Sequence, residues 1–145
     1  MNSTLNVKQW AIATVAVFVV MSAIQYLIHG ALLSDWYAEH SHYWRSPEDM
    51  MSRMHWIYVG YALFAGLFCY IFSLGYEGKP GIGEGFRYGA LIGALIGFPK
   101  MFMDHAVFYY QGKVIVAWGV GMFVTCILLG ILAGMIYKGG KQAAS

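Results

Sequence analysis

The stretch GALIGALIGFPKMFMDH, residues 89–105, decides the fold. It begins with three glycines at four-residue spacing, Gly89, Gly93 and Gly97, within a run of Ala, Leu and Ile. Glycines so spaced lie on one helical face, where the missing side chains let a second helix approach closely. Gly130 and Gly134 repeat the spacing in the last apolar segment. We predict helix-packing faces of the GxxxG kind, which either contact each other or contact another chain.

The composition indicates an integral membrane protein. Of the 145 residues, 59% are hydrophobic and only 11% are charged, whereas soluble domains have about 25% charged residues. A helix that spans a bilayer needs roughly 20 mostly apolar residues. Four segments qualify, and the predicted helices are about 10–33, 47–76, 87–110 and 114–137. The predicted fold class is all-α: one transmembrane domain over residues 1–145, a four-helix bundle with an outer loop at 34–55.

The second helix is predicted to begin outside the membrane. Ser46, Pro47, Glu48 and Asp49 combine an N-cap residue, a proline at the first helical position and acids in the first turn. A helix over 47–76 is about 45 Å long at 1.5 Å per residue, which exceeds the roughly 30 Å hydrocarbon core. Its first turns are therefore expected among the outer headgroups. The glycine-rich segment 77–86 is predicted to be a flexible inner turn.

The basic residues of the short connections predict the orientation. Lysine and arginine are more frequent on the cytoplasmic side of membrane proteins. Five flank one side, Lys8, Lys79, Arg87, Lys138 and Lys141, and three flank the other, Arg45, Arg53 and Lys113. Both termini are therefore predicted to be cytoplasmic. The first apolar run is longer than the 7–15 residues typical of a secretory signal, so we expect it to be retained as a helix.

All five histidines fall toward the outer end of this topology: His29, His40, His42, His55 and His105. At the helical rise, His29 lies about 28 Å above Trp10 and His105 about 27 Å above Arg87. The two therefore reach the same level, and His55 stands at the outer mouth of the second helix. For each histidine alone, hydrogen bonding at the membrane interface is the more common role.

A shared outer pocket would give these histidines a different role. Imidazole is the commonest metal ligand and a usual axial ligand of haem-like macrocycles. One hypothesis is therefore a transition metal, or a haem- or chlorophyll-type macrocycle, held by His29, His55, His105 and Asp104. Thioethers are soft ligands that could complete such a site, and the nearby methionines are Met50, Met54, Met101 and Met103.

Polar residues after the glycine face form a second candidate site. Lys100 lies about 20 Å into the core, counted from Arg87, where an isolated charge costs at least about 2.5 kcal/mol. Asp104 follows at i+4 and can pair with it. The first helix carries a matching stripe, Ser22, Gln25 and His29. We predict that the stripes face each other, either as a clamp that fixes helix register or as an outward-facing ligand or proton site that includes Asp104 and His105. In the alternative, the helix ends near Phe98 and Lys100 reaches the surface.

Three short segments resemble small bacterial four-helix inner-membrane proteins, a group without an assigned reaction. They are HGALL at 29–33, YWR at 43–45 and RYG at 87–89. The resemblance implies a bacterial inner-membrane location. The sequence also lacks a Ser, Cys or Thr nucleophile with an adjacent His and acid in any known catalytic order, so we do not expect an enzyme.

The leading functional hypothesis is a non-catalytic accessory subunit of a larger membrane complex, or a homo-oligomer. The expected partners are lipids and other membrane subunits. The net charge is +2 without a basic cluster, which gives no indication of nucleic-acid binding. Two alternatives stay open: a metal- or haem-binding protein that uses the outer histidines, and a small transporter or proton half-channel.

Overall fold

The structure is a computed structural model that describes residues 5–109 and 112–137. Helix α1 (Val7–Gln25) continues directly as a π-helix (Tyr26–Leu32). The outer connection holds α2 (Ser34–Glu39), a 3-10 turn (Ser41–Tyr43) and α3 (Pro47–Ser52), and the long helices α4 (Met54–Leu74), α5 (Gly81–Val107) and α6 (Gly112–Ile136) follow. These residues contain no strand, which confirms the predicted all-α class.

Within the part of the chain that the structure describes, four helical segments are long and apolar enough to cross a membrane: Val7–Leu32, Met54–Leu74, Gly81–Val107 and Gly112–Ile136. They confirm the four predicted spans and suggest a multi-pass membrane protein. Lys138 and Lys141, which contribute to the charge count, lie outside the described residues. The cytoplasmic location of the termini therefore stays a prediction.

The prediction of a flexible turn over 77–86 is wrong for residues 81–86, because α5 begins at Gly81 and only 77–80 connect it to α4. The carboxylate of Glu84, which is only 5% exposed, accepts hydrogen bonds from the backbone N–H groups of Glu77 (2.5 Å) and Lys79 (3.1 Å). Hydrogen bonds from Lys79 and Arg87 hold the pKa of the Glu77 carboxyl below its usual range. The hydrogen bonds of Glu84 hold the connection between α4 and α5 against the first turn of α5. At its other end α5 stops at Val107, and the predicted end, residue 110, lies outside the described residues.

The predicted single helix over 47–76 is interrupted at Arg53, whose φ of −105° and ψ of 2° leave the helical region. The side chain of Arg53 donates to Asp49 (2.8 Å), and Arg45 donates to the other carboxylate oxygen (2.7 Å). These two bonds lower the pKa of the Asp49 carboxyl. The predicted loop at 34–55 is therefore largely ordered into short helical pieces.

Helices α5 and α6 pack backbone against backbone. A Cβ added at Gly85 would lie 2.1 Å from the carbonyl oxygen of Gly130, and one at Gly89 would lie 2.2 Å from that of Cys126. Distances under 3.0 Å are essentially never seen for a real Cβ. The same holds for Gly81 against Gly134, Gly93 against Phe123 and Gly97 against Gly119. The two predicted glycine faces thus contact each other within one chain.

The inner half of the bundle, at the end of the connection between α4 and α5, is closely packed. Its buried core comes from α1, α4 and α6 and includes Ala13, Val17, Met21, Ala65, Phe68, Cys69, Phe72, Cys126, Leu129 and Ala133. Helix α5 is linked to this core by Tyr88, whose hydroxyl donates a hydrogen bond to the carbonyl oxygen of Phe68 (2.6 Å). The outer half of α4 differs, because every residue from His55 to Gly60 is exposed. The bundle is therefore tight at its inner end and looser at its outer end.

Candidate functional site

A cavity of about 290 Å³ lies between the outer part of α1 with its π-helix, α5 and α6. Its polar lining comes from both predicted stripes: Gln25, His29, Lys100 and Asp104. Its apolar lining includes Ile28, Ile96, Met101, Ile115, Trp118 and Met122. Small-molecule sites are typically clefts of roughly 300–1,000 Å³ with mostly apolar walls and a few polar groups, so this cavity resembles a small site of that kind.

Lys100 and Asp104 form an ion pair at the edge of this cavity. The Lys100 Nζ lies 2.5 Å from the Asp104 Oδ2, and the side chains are 66% and 11% exposed, respectively. Helix α5 continues through Pro99 to Val107, so the alternative in which it ends near Phe98 is wrong. The pair is unequal, because the carboxylate is buried while the ammonium group reaches out to it from an exposed position.

Gln25 is the least satisfied polar side chain of the cavity. The residue is only 7% exposed and lines the cavity, yet its side-chain amide forms no hydrogen bond with any residue that the structure describes. Ser22, the third member of the predicted stripe, does not line the cavity. Its hydroxyl donates instead to the carbonyl oxygen of Phe18, four residues earlier (2.8 Å). The stripe therefore contributes Gln25 and His29 to the site.

His29 is fixed by groups from two other elements. Its Nδ1 lies 2.6 Å from the hydroxyl oxygen of Tyr37 in α2, which also accepts a hydrogen bond from Trp118 Nε1 of α6 (2.9 Å). The Tyr37 hydroxyl can donate to Nδ1, which places the ring hydrogen of His29 on Nε2, or it can accept from an Nδ1–H group in the other tautomer. His29 also lies in the π-helix, a form found frequently at functional sites.

Aromatic rings hold the outer connection against α6. The rings of Trp36, Trp44 and Trp118 lie 6.2–6.4 Å apart at steep angles, an arrangement that aromatic pairs prefer. Burial raises the pKa of the Tyr37 hydroxyl, although its bond with Trp118 acts in the opposite direction. Trp118 belongs to the site but was not predicted. It lies 81 residues from Tyr37, so no local pattern could join them.

The four residues of the hypothetical metal centre do not converge. His29 and Asp104 line the cavity, whereas His55 and His105 do not. Both of these histidines are exposed on their helices. Over residues 5–109 and 112–137, no group of three or more His, Cys, Asp or Glu is placed to hold a metal ion. Of the four methionines named as possible further ligands, only Met101 lines the cavity.

No family model, curated protein or solved structure matches this chain. The resemblance to small bacterial membrane proteins thus has no support from these comparisons. What the site can do follows from its own residues: an internally balanced ion pair, an amide without a protein partner, an oriented imidazole and an apolar wall.

Proposed function

We propose that the protein is a non-catalytic, multi-pass protein of the bacterial cytoplasmic membrane that binds a small lipophilic molecule in the cavity between α1, α5 and α6. The observation that carries this proposal is Gln25, which is buried in the cavity wall without a protein hydrogen-bond partner. This amide carries two N–H donors and an acceptor oxygen, with which a molecule in the cavity could form hydrogen bonds.

The position of the cavity favours a lipophilic ligand. It lies between segments that are apolar enough to span a membrane, and a molecule that reaches it from a bilayer must itself be lipophilic. Its walls are mainly Ile, Met and Trp side chains. Burial of apolar surface against such walls contributes about 25 cal/mol per Å², and the few polar groups then select the ligand by its hydrogen bonds.

The accessory-subunit hypothesis is weaker than ligand binding. It was motivated by the glycine faces and by the near absence of protein mass outside the spans, and the glycine faces cover each other within the chain. A transporter or proton half-channel would need polar groups that continue toward the inner end. The core of α1, α4 and α6 there is mainly apolar.

A cavity-filling variant tests the proposal. Met122→Trp places a larger side chain at the cavity wall, and Leu128→Trp makes the same kind of change at an exposed position of the same helix. We expect the wild type and Leu128→Trp to retain a lipophilic molecule after purification from bacterial membranes, as detected by solvent extraction and mass spectrometry. Met122→Trp should retain at least about tenfold less, which corresponds to about 1.4 kcal/mol of binding free energy.

Circular dichroism is the control for folding in this experiment. If Met122→Trp is helical and stable but retains as much of every molecule as the wild type does, those molecules are not bound in the cavity. If the wild type, Leu128→Trp and Met122→Trp all retain the same molecules in the same amounts, the proposed function is wrong.

The proposed orientation can be tested by cysteine labelling. The two native cysteines, Cys69 and Cys126, are buried, whereas Glu48 and Lys79 are exposed at opposite ends of the bundle. With both termini in the cytoplasm, we expect a membrane-impermeant maleimide to label Glu48→Cys in intact cells. Lys79→Cys should react only after the membrane is permeabilised. The reverse pattern would contradict the predicted orientation.

A further inference from the structure

The charges of the cavity favour a neutral ligand. Lys100 and Asp104 are joined by a bond of 2.5 Å between Nζ and Oδ2, so the site already balances its own charge. An ionic ligand would add an uncompensated charge within a membrane-spanning segment, and such charges are costly. The occupant is therefore expected to carry polar atoms without a net charge.

The remaining polar groups of the cavity include two residues that can donate hydrogen bonds. The amide of Gln25 offers two N–H groups, and His29 offers an Nε2–H group in the tautomer whose Nδ1 accepts from Tyr37. The two residues are separated by four positions on the same continuous helical segment, so both groups approach the cavity from one wall. Donors on one wall are complemented by an acceptor, such as a carbonyl oxygen.

The apolar walls favour a flat ring. Trp118 supplies an indole, and the thioethers of Met101 and Met122 line the same space. Sulfur atoms make favourable contacts with aromatic rings, of about 0.3–1.5 kcal/mol each. A volume of about 290 Å³ suits a single-ring head group, because it lies at the lower limit of small-molecule sites.

We infer that the cavity binds the head group of a membrane quinone. The ring lies in the apolar part of the cavity, a carbonyl oxygen accepts hydrogen bonds from Gln25 and His29, and the isoprenoid or alkyl tail stays in the bilayer. This inference rests on the proposed function, since it names the class of molecule that the cavity takes. It concerns binding and includes no electron transfer.

The test uses the full chain in lipid nanodiscs and decylubiquinone, a quinone with a short alkyl tail. Quinones quench tryptophan fluorescence, and Trp118 lines the site. We expect a saturable quenching component in the wild type that has a smaller amplitude in Trp118→Phe, where Trp36 and Trp44 are the tryptophans left beside the site. Non-specific quenching by quinone in the lipid affects all variants and does not saturate in this way.

Gln25→Met removes the amide but keeps the length of the side chain, and Ser22→Ala is the matched control from the same stripe. We expect Gln25→Met to weaken the saturable binding at least about tenfold and Ser22→Ala to leave it unchanged. Because the Gln25 amide has no protein partner, Gln25→Met should not lower the thermal unfolding midpoint of the ligand-free protein. Gln25→Leu serves as a second variant if Gln25→Met folds poorly.

The outcomes separate this inference from the proposed function. Equal binding by the wild type and Gln25→Met would overturn the inference. Absence of saturable quinone binding, together with another molecule that is retained by the wild type and lost in Met122→Trp, would also overturn it while the ligand-binding function stands. If no quinone binds and Met122→Trp loses nothing, both are wrong.

Discussion

Gly89→Ala is expected to lower the free energy of unfolding by about 3 kcal/mol or more, at the upper end of the range for overpacked sites. The new Cβ would lie 2.2 Å from the carbonyl oxygen of Cys126 and 2.8 Å from the Cα of Ile127. Both atoms belong to the backbone of α6, so no side chain can rotate away. The helices must separate, and the contacts at Gly85 and Gly93 on either side weaken with them. Reversible unfolding in mixed micelles, followed by circular dichroism, measures the loss.

Gly83→Ala is the matched control for this prediction. Gly83 lies in the same helix, but an added Cβ there meets no atom within 4 Å. Because alanine favours helix over glycine by up to about 1 kcal/mol, this variant should be as stable as the wild type or slightly more stable. Similar effects at both positions would show that the close approach of α5 and α6 is not what requires glycine at Gly89.

Lys100→Met is expected to lower the free energy of unfolding by about 2–3 kcal/mol. This is less than the loss expected when a deeply buried ion pair is broken, because Lys100 is exposed. The substitution leaves the Asp104 carboxylate, whose side chain is 11% exposed, without its cation. Asp104→Asn should cost only about 1 kcal/mol or less, because the lysine left behind is 66% exposed and can interact with water or headgroups. The same unfolding assay measures both variants.

The double variant completes this thermodynamic cycle. Lys100→Met combined with Asp104→Asn removes both charges, so it should be more stable than Lys100→Met alone. If the two single variants lose the same free energy of unfolding, the unequal exposure of Lys100 and Asp104 does not determine their contributions. Variants with wild-type stability would show that these charges lie in water and contribute nothing to the fold.

The membrane spans could be predicted from the sequence because long apolar runs have few alternatives to a membrane helix. Their ends could not be predicted equally well. Gly81 and Gly85 are typical of a turn when only their sequence neighbours are considered. They are helical because α6 contacts them and because Glu84 accepts a hydrogen bond from the preceding connection. The break at Arg53 was not predicted, because the N-cap pattern at Ser46 indicates only where α3 begins.

The candidate site shows the same division between local and distant contacts. Spacing of i+4 on a helix places Lys100 and Asp104 on one face, so that pairing could be predicted from the sequence. The position of Trp118 depends on contacts with distant segments, and the π-helix that carries His29 has no periodic signal. The proposed convergence of His55 and His105 required knowledge of how α4 and α5 are rotated, which one sequence does not provide.

The contact between α1 and α6 has a consequence for biogenesis. The backbone N–H of Asn6 donates to the hydroxyl of Tyr137 (3.4 Å), across 131 positions of the chain, and the cavity likewise joins Gln25 to Met122. Ribosomes deliver the N-terminal part first, at about 5–20 residues per second. The first helix is therefore made with the Gln25 amide uncovered, and α6 can cover that amide only after it has been synthesised. Translation that stops before α6 produces the first three long helices but no cavity.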